Sequence, residues 1–402
     1  MASEGHARGS PAYRRLTLAM LFAGFSTFSL LYAVQPLLPL FAAQYRLSAA
    51  AASLAVSAAT GPLAVAILVA GGVSDRVGRR PLMVAAMLAG AAATLAATVA
   101  PGWGTLVGSR VVAGLALAGV PAVAMAYVAE EVDAASVGHA MGLYIAGSAL
   151  GGMGGRLVAS LLADVAGWRW ALAGVGAIGL AMGEAFRRLA PPSARFAPLT
   201  RRPDPRRLFA DRGLVLLFAE AFVLMGVFVS IYNYAAFRLL APPYRLGQTA
   251  VGGVFLLYIL GSASSAWFGS LAGRAGRRRV FPWPIVILLA GVLLTLAEPL
   301  ALVIAGIALV TIGFFGAHSI ASAWVGRRAQ AARGEGAAWY LFAYYAGSSL
   351  LGSAGGIAWA RAAWPGVVAF GTVLALLALA GAALLARVPP VAAADLPVAP
   401  EA

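Results

Sequence analysis

Long apolar runs separated by short polar intervals occupy almost all of this 402-residue chain. Runs long enough to cross a bilayer as helices fall at 16–41, 50–72, 81–100, 104–129, 137–162 and 168–188. Six more follow at 213–240, 247–272, 281–297, 300–326, 335–360 and 364–387, the ninth being the shortest. Between the sixes lies the one long polar interval, 189–212, with Pro191, Pro192, Pro203, Pro205 and a series of arginines. The pattern predicts an all-α membrane protein of twelve transmembrane helices in two six-helix bundles. It divides into an N-terminal segment (1–15), a first bundle (16–188), a linker (189–212), a second bundle (213–387) and an Ala/Pro-rich tail (388–402) expected to be disordered. The first run is too long for the apolar region of a signal peptide and has no evident cleavage site, so none is expected.

The two halves resemble each other. Gly71-Gly-Val-Ser-Asp75-Arg76-Val-Gly78-Arg79-Arg80 reappears 198 positions on (71 to 269) as Gly269-Ser-Leu-Ala-Gly273-Arg274-Ala-Gly276-Arg277-Arg278. Tyr144-Ile-Ala-Gly147-Ser148 in span 5 reappears 200 positions on (144 to 344) as Tyr344-Tyr-Ala-Gly347-Ser348 in span 11. Two matches at nearly one offset indicate a duplicated bundle, and a site between related bundles is the usual plan of a secondary transporter. The second copy has Gly273 where the first has Asp75.

Composition agrees and narrows the choices. The chain is 61% hydrophobic and 11% charged, where a soluble domain is nearer half and a quarter. It has no cysteine, and all 29 basic residues are arginine. A thiolate nucleophile, a disulfide, a cysteine–zinc site and a lysine-dependent phosphate loop are therefore excluded. With the N-terminus placed inside, inner segments hold 22 arginines and outer segments five: Arg46, Arg169, Arg238, Arg245 and Arg361. This bias predicts cytoplasmic termini. It also accounts for the net charge of +15 through anionic headgroups rather than nucleic acid.

On these residues the chain resembles the major facilitator superfamily. Gly71, Asp75, Arg76, Gly78, Arg79 and Arg80 are similar to that family's motif between the second and third helices. Tyr127-Val-Ala-Glu130-Glu131 and Ala317-His318-Ser319 resemble its drug- and arabinose-efflux branch. The resemblance covers residues 13–387 and implies the major facilitator fold, a substrate site between the bundles and a rocking alternating-access cycle. Gly152 stands where the efflux pattern has a proline and Arg156 where it has a final glycine, a departure from the antiporter pattern.

Candidate functional groups are few. Arg110 and Arg156 lie inside spans, where a charge costs roughly 3 kcal/mol or more and faces a cavity or a partner. Either they handle substrate or protons, as the resemblance implies for Arg110, or they tether helix ends. Glu220 is the one acid well inside the second half, five turns before Arg238 on the same face, and reads as a protonation site or a partnered buried carboxylate. His318 suits a proton relay or a neutral hydrogen-bonded role. Glu184, near the inner end of span 6, reaches water. Tyr32, Gln35, Tyr232, Asn233, Tyr234, Tyr258 and Tyr344 are candidate cavity-lining groups. Asp75, Arg79 and Glu130 are expected to form a charge cluster, either latching an outward-facing state or serving topology alone. Gly269, Arg274, Gly276 and Arg277 are its weaker counterpart.

The reading that follows is a monomeric, multi-pass transporter of a bacterial cytoplasmic membrane, exporting a small organic molecule at the expense of a proton gradient, without a cofactor or a metal. Uptake or exchange of an organic anion is the alternative. An intramembrane enzyme has little support, since no nucleophile–acid or metal constellation stands out.

Overall fold

In the computed structural model residues 5–196 and 205–389 are described. The end of the tail (from residue 390) and linker residues 197–204 lie outside the described residues. The described residues form no strand, only one isolated bridge between His6 and Val132. Everything else of regular form is helical.

Twelve helical legs run back and forth. Span 1 is Pro11–Tyr45, span 2 Ala49–Val77, span 3 Arg79–Val99 and span 5 Val137–Ala166. Span 4 comes in two pieces, Trp103–Leu117 and Ala124–Glu131, and span 6 is Trp168–Leu189. In the second half span 7 is Arg212–Leu240, span 8 Gln248–Ala275 and span 10 Leu300–Arg328. Span 9 is Pro282–Leu294. Spans 11 and 12 are the two arms of Arg333–Arg387, parted at Ala362 and Ala363, whose φ values of −148° and 46° are not helical.

Capping residues set several of these starts. The Ser10 hydroxyl accepts from the Tyr13 amide at 3.2 Å and Pro11 opens the helix, so span 1 begins five residues before its apolar run. Asp211 accepts from the amides of Gly213 and Leu214 at 2.7 and 3.1 Å to start span 7. Span 1 bends at Ala33–Leu37, where Pro36 brings no amide hydrogen and a short 3-10 turn replaces the helix. A short helix, Pro205–Ala210, occupies part of the expected linker.

The repeat is visible in the packing. A Cβ on Gly147 of span 5 would lie 2.2 Å from the Leu21 carbonyl oxygen of span 1; one on Gly347 of span 11 would lie 2.0 Å from that of Phe222 in span 7. In each half the same glycine lets the fifth helix press on the first. The motif expected as a loop is mostly helix: Gly71–Val77 are the last turns of span 2. The turn itself is Gly78, at φ 91°, and its counterpart Gly276 stands at φ 90°. That backbone region suits glycine alone among common residues.

The halves meet in the parts of their helices farthest from this turn. There Ser53 and Ser57 of span 2 bond Ser349 and Ser353 of span 11 at 2.6–3.2 Å. Gln248 of span 8 donates to the Pro36 carbonyl at 2.7 Å, and Thr249 to Asp164 at 2.6 Å. Among the described residues, every hydrogen bond between the halves lies in this region. The protein is closed on the face opposite the arginine-rich turns.

Candidate functional site

Arg156 sits at the closed end of the junction between the halves, with 3% of its surface exposed. Span 5 carries it there one residue past Gly155, whose closeness to Ser29 brings spans 1 and 5 together. Its Nε donates to Gln35 Oε1 at 2.7 Å, and one terminal nitrogen, Nη1, to the Gly152 carbonyl of its own helix. Gln35 passes the link on to Asn233 Oδ1 at 2.8 Å, and Asn233 donates to the Gly352 carbonyl at 3.5 Å. Four helices, two from each half, are thus joined by one polar chain. The guanidinium lies over three rings: Tyr32 at 4.6 Å, Phe255 at 4.9 Å and Tyr258 at 5.1 Å. Such contacts are worth up to about 2 kcal/mol each when water is excluded.

From this apex an aromatic wall descends toward the arginine-rich face. Tyr258 meets Phe228 and Phe315 at 5.7 and 5.5 Å; Phe228 stacks on Phe314 at 4.0 Å. Phe314 stacks on His318, which meets Tyr344 at 5.0 Å. The Tyr232 hydroxyl shares a hydrogen bond of 2.7 Å with Thr311, and Tyr340 one of 2.9 Å with His318 Nδ1. Arg156, Tyr32 and Tyr258 are buried, while Phe315, His318 and Tyr344 are half-buried. Access therefore increases away from the closed face. Phe228, Phe255, Phe314 and Tyr340 were not singled out in the sequence. The spacing 311–314–318 on one helix and 228–232 on another is the signal that marks a shared face.

Other candidates lie elsewhere. Arg110 is fully buried and donates only to backbone: Ala55 O at 3.1 Å, Leu30 O at 3.1 Å and Leu31 O at 2.6 Å. The usual helical donors to Leu30 and Leu31, the amides of Val34 and Gln35, fall in the bend of span 1. Arg110 caps that bend, which is the tether arrangement. Tyr234 packs between spans 7 and 11, its hydroxyl on the Gly352 carbonyl at 3.1 Å and its ring on Trp359. Arg238 does not meet Glu220. It donates to the carbonyls of Thr295 and Ala297 and lies over Trp364. Glu184 pairs with Arg187 and Arg188 at 2.6 Å at the surface.

Glu220 is 2% exposed, and neither carboxyl oxygen has a hydrogen-bond partner. A Cβ placed on Gly381 of span 12 would come within 2.3 Å of it. The partnered-carboxylate reading is not what the structure has.

The expected charge cluster forms. Arg79 Nη1 meets Asp75 at 2.8 Å and the Ser74 hydroxyl, and Nη2 meets Glu130 at 3.0 Å. Its guanidinium also covers the Phe196 ring at 4.9 Å. Every described contact of Arg79 stays in the first half and the start of the linker. The cluster is intact in this conformation, in which the opposite face is closed. Arg80 donates to the Ala190 and Arg187 carbonyls at 2.8 and 2.6 Å, capping span 6. In the second copy Gly273 replaces the acid, and burial, with the charge of Arg327 beside it, lowers the Arg277 pKa. Arg328 pairs instead with Asp211 at 2.8 Å.

Two related helical bundles with a polar and aromatic junction between them are the architecture of a membrane transporter. The family model of the Major Facilitator Superfamily matches residues 20–267, and the chain belongs to that family. It is 42% identical over 377 residues to the inner membrane transport protein YnfM of Escherichia coli (strain K12), covering 92% of this chain and 90% of that protein. It is 41% identical over 385 residues to the uncharacterized MFS-type transporter YybF of Bacillus subtilis (strain 168), covering 94% and 95%. Its fold matches a bacterial homolog of the human lysosomal transporter Spinster, in an inward-facing and occupied conformation, at a TM-score of 0.78 and 15% identity over 94% of this chain and 98% of that one. It is a multi-pass membrane transporter, not an enzyme.

Proposed function

We propose that the protein exports a small organic molecule across the cytoplasmic membrane, driven by a proton gradient, with both termini in the cytoplasm. The observation that carries this reading is the placement of all described hydrogen bonds between the halves at the closed end. The aromatic wall is then reached from the other face. That face holds the arginine-rich segments, which the positive-inside rule assigns to the cytoplasm. Substrate would load there, against Tyr344, His318 and Phe315, and leave after the serine contacts of spans 2 and 11 part.

Glu220 is the proposed proton carrier, because a buried carboxyl without a partner has nothing but a proton to compensate its charge. His318, tied to Tyr340 and stacked on Phe314, is the proposed relay. A thermal-shift screen on the purified protein identifies ligands, whose accumulation in inverted vesicles is then followed with and without a pH gradient. Glu220→Gln should abolish gradient-driven accumulation and spare exchange. Accumulation indifferent to collapse of the gradient would rule out proton coupling.

A further inference from the structure

The interior acids of this protein are distributed unevenly around its interior cations. Arg110 spends its donors on three backbone carbonyls. Arg156 does not. Its two hydrogen bonds use Nε and Nη1, and among the described residues nothing accepts from Nη2. No carboxylate lies within ion-pair distance of it among the described residues. Asp164 is eight residues on along the same helix, about 12 Å away by helical rise, and is held by Thr249. Glu220 lies against Gly381 of span 12. The groups that do face Arg156 are neutral: Tyr32 and Gln35 from span 1, Gly152 from span 5, Phe255 and Tyr258 from span 8.

A charge removed from water and given no counter-ion is costly, and breaking or lacking one partner of a buried pair leaves that cost uncompensated. Three aromatic faces offset part of it. An anion offsets far more, and the open Nη2 edge is where an anion's oxygen would find its donor. Below that edge Tyr258, Phe228, Phe314 and Phe315 pack ring on ring, Phe315 half-buried and the others buried. The second half offers no matching cation. Position 356, the counterpart of 156 at the 200-residue offset, is Gly356, packed against Ala50.

We infer that the transported molecule is a small organic monoanion, its charged group on Arg156 and its flat apolar body along the wall of spans 7, 8 and 10. This rests on the transporter reading of the same cleft and adds the substrate class to it. The anion also has a mechanical effect. An oxygen on Arg156 competes with Gln35 Oε1 for the guanidinium, loosening the chain through Gln35 and Asn233 that links the halves at the closed face.

The test uses the full-length protein in lipid nanodiscs and matched probes: benzoate, phenylacetate and phenyl phosphate, against benzamide and benzylamine. Calorimetry should show the acids binding at least about tenfold more tightly than the amide and amine. Arg156→Gln should erase that preference, and Arg156→Lys should keep part of it. Apparent melting temperature and elution profile verify that each variant is folded. Phenyl phosphate carries about −1.5 to −2 at neutral pH and the carboxylates a single charge, so the carboxylates should bind more tightly, and the reverse order would overturn the monoanion assignment. Equal binding of benzamide or benzylamine, an undiminished preference in Arg156→Gln, or no binding of any acid at millimolar concentration would overturn the inference. Counterflow in proteoliposomes separates it from the reading beneath it. If benzylamine moves in wild type and Arg156→Gln alike, the protein is a carrier and the substrate class is wrong. Acid binding that depends on Arg156 without movement of any probe supports the anion site and counts against the transport role of the cleft.

Discussion

Arg110→Met separates a structural arginine from a chemical one. The substitution keeps an unbranched apolar stem but removes the guanidinium and with it every donor. Ala55 keeps its helical neighbours, whereas Leu30 and Leu31 stand at the bend of span 1, where their carbonyls depend on Arg110. Orphaning a buried acceptor costs about 1–3 kcal/mol, so two of them cost about 2–6 kcal/mol. Relief from burying a cation offsets part of this, which places the net near the lower half of that range. At roughly 2 °C per kcal/mol for a chain of this size, the apparent melting temperature should fall by several degrees. Fluorescence-detected elution after graded heating measures it in detergent, and ligand binding at low temperature reports on the surviving cleft. A melting temperature within about 2 °C of wild type, combined with lost transport, would refute the tether and return Arg110 to the substrate or proton pathway.

Further outcomes follow from the same contacts. Gly147→Ala and Gly347→Ala should each lower thermal stability by about 1–3 kcal/mol, because both place a Cβ against a helix carbonyl; one neutral and one severe result would break the packing symmetry. Asp75→Asn should slow transport without changing the melting temperature, since Arg79 keeps Glu130 at 3.0 Å; wild-type turnover would leave the cluster a topological role alone. A double-mutant cycle on Ser57→Ala and Ser353→Ala should give a coupling under about 1 kcal/mol; a value several times larger would mean that this contact, and not the Arg156 chain, holds the face closed.

The apolar runs predicted every leg of the fold, because a bilayer demands about 20 apolar residues per crossing whatever the packing. They misplaced the start of span 1, since Ser10 and Pro11 extend a helix by capping rather than by hydropathy. They also hid the break in span 4, whose residues 118–123 are as apolar as the helix around them. The cluster of Asp75, Arg79 and Glu130 was legible from charge and side of the membrane. The split between Arg110 and Arg156 was not. Both read as arginines in apolar helices, and only the carbonyls that the bend of span 1 leaves for Arg110 tell them apart. Phe228 and Phe314 look like any core phenylalanines until spans 7 and 10 bring their rings to 4.0 Å.

The serine contacts between spans 2 and 11 bear on how fast the machine can turn over. Ser53, Ser57, Ser349 and Ser353 bond one another along a seam of small side chains. A hydroxyl trades a hydroxyl for water with little net change in free energy, whereas a seam of leucines would lose about 25 cal/mol for each Å² wetted. Small side chains also have few rotamers to reorder when the surfaces meet again. The seam behaves as a zip-fastener that water undoes and remakes tooth by tooth, so that neither resting position becomes a trap.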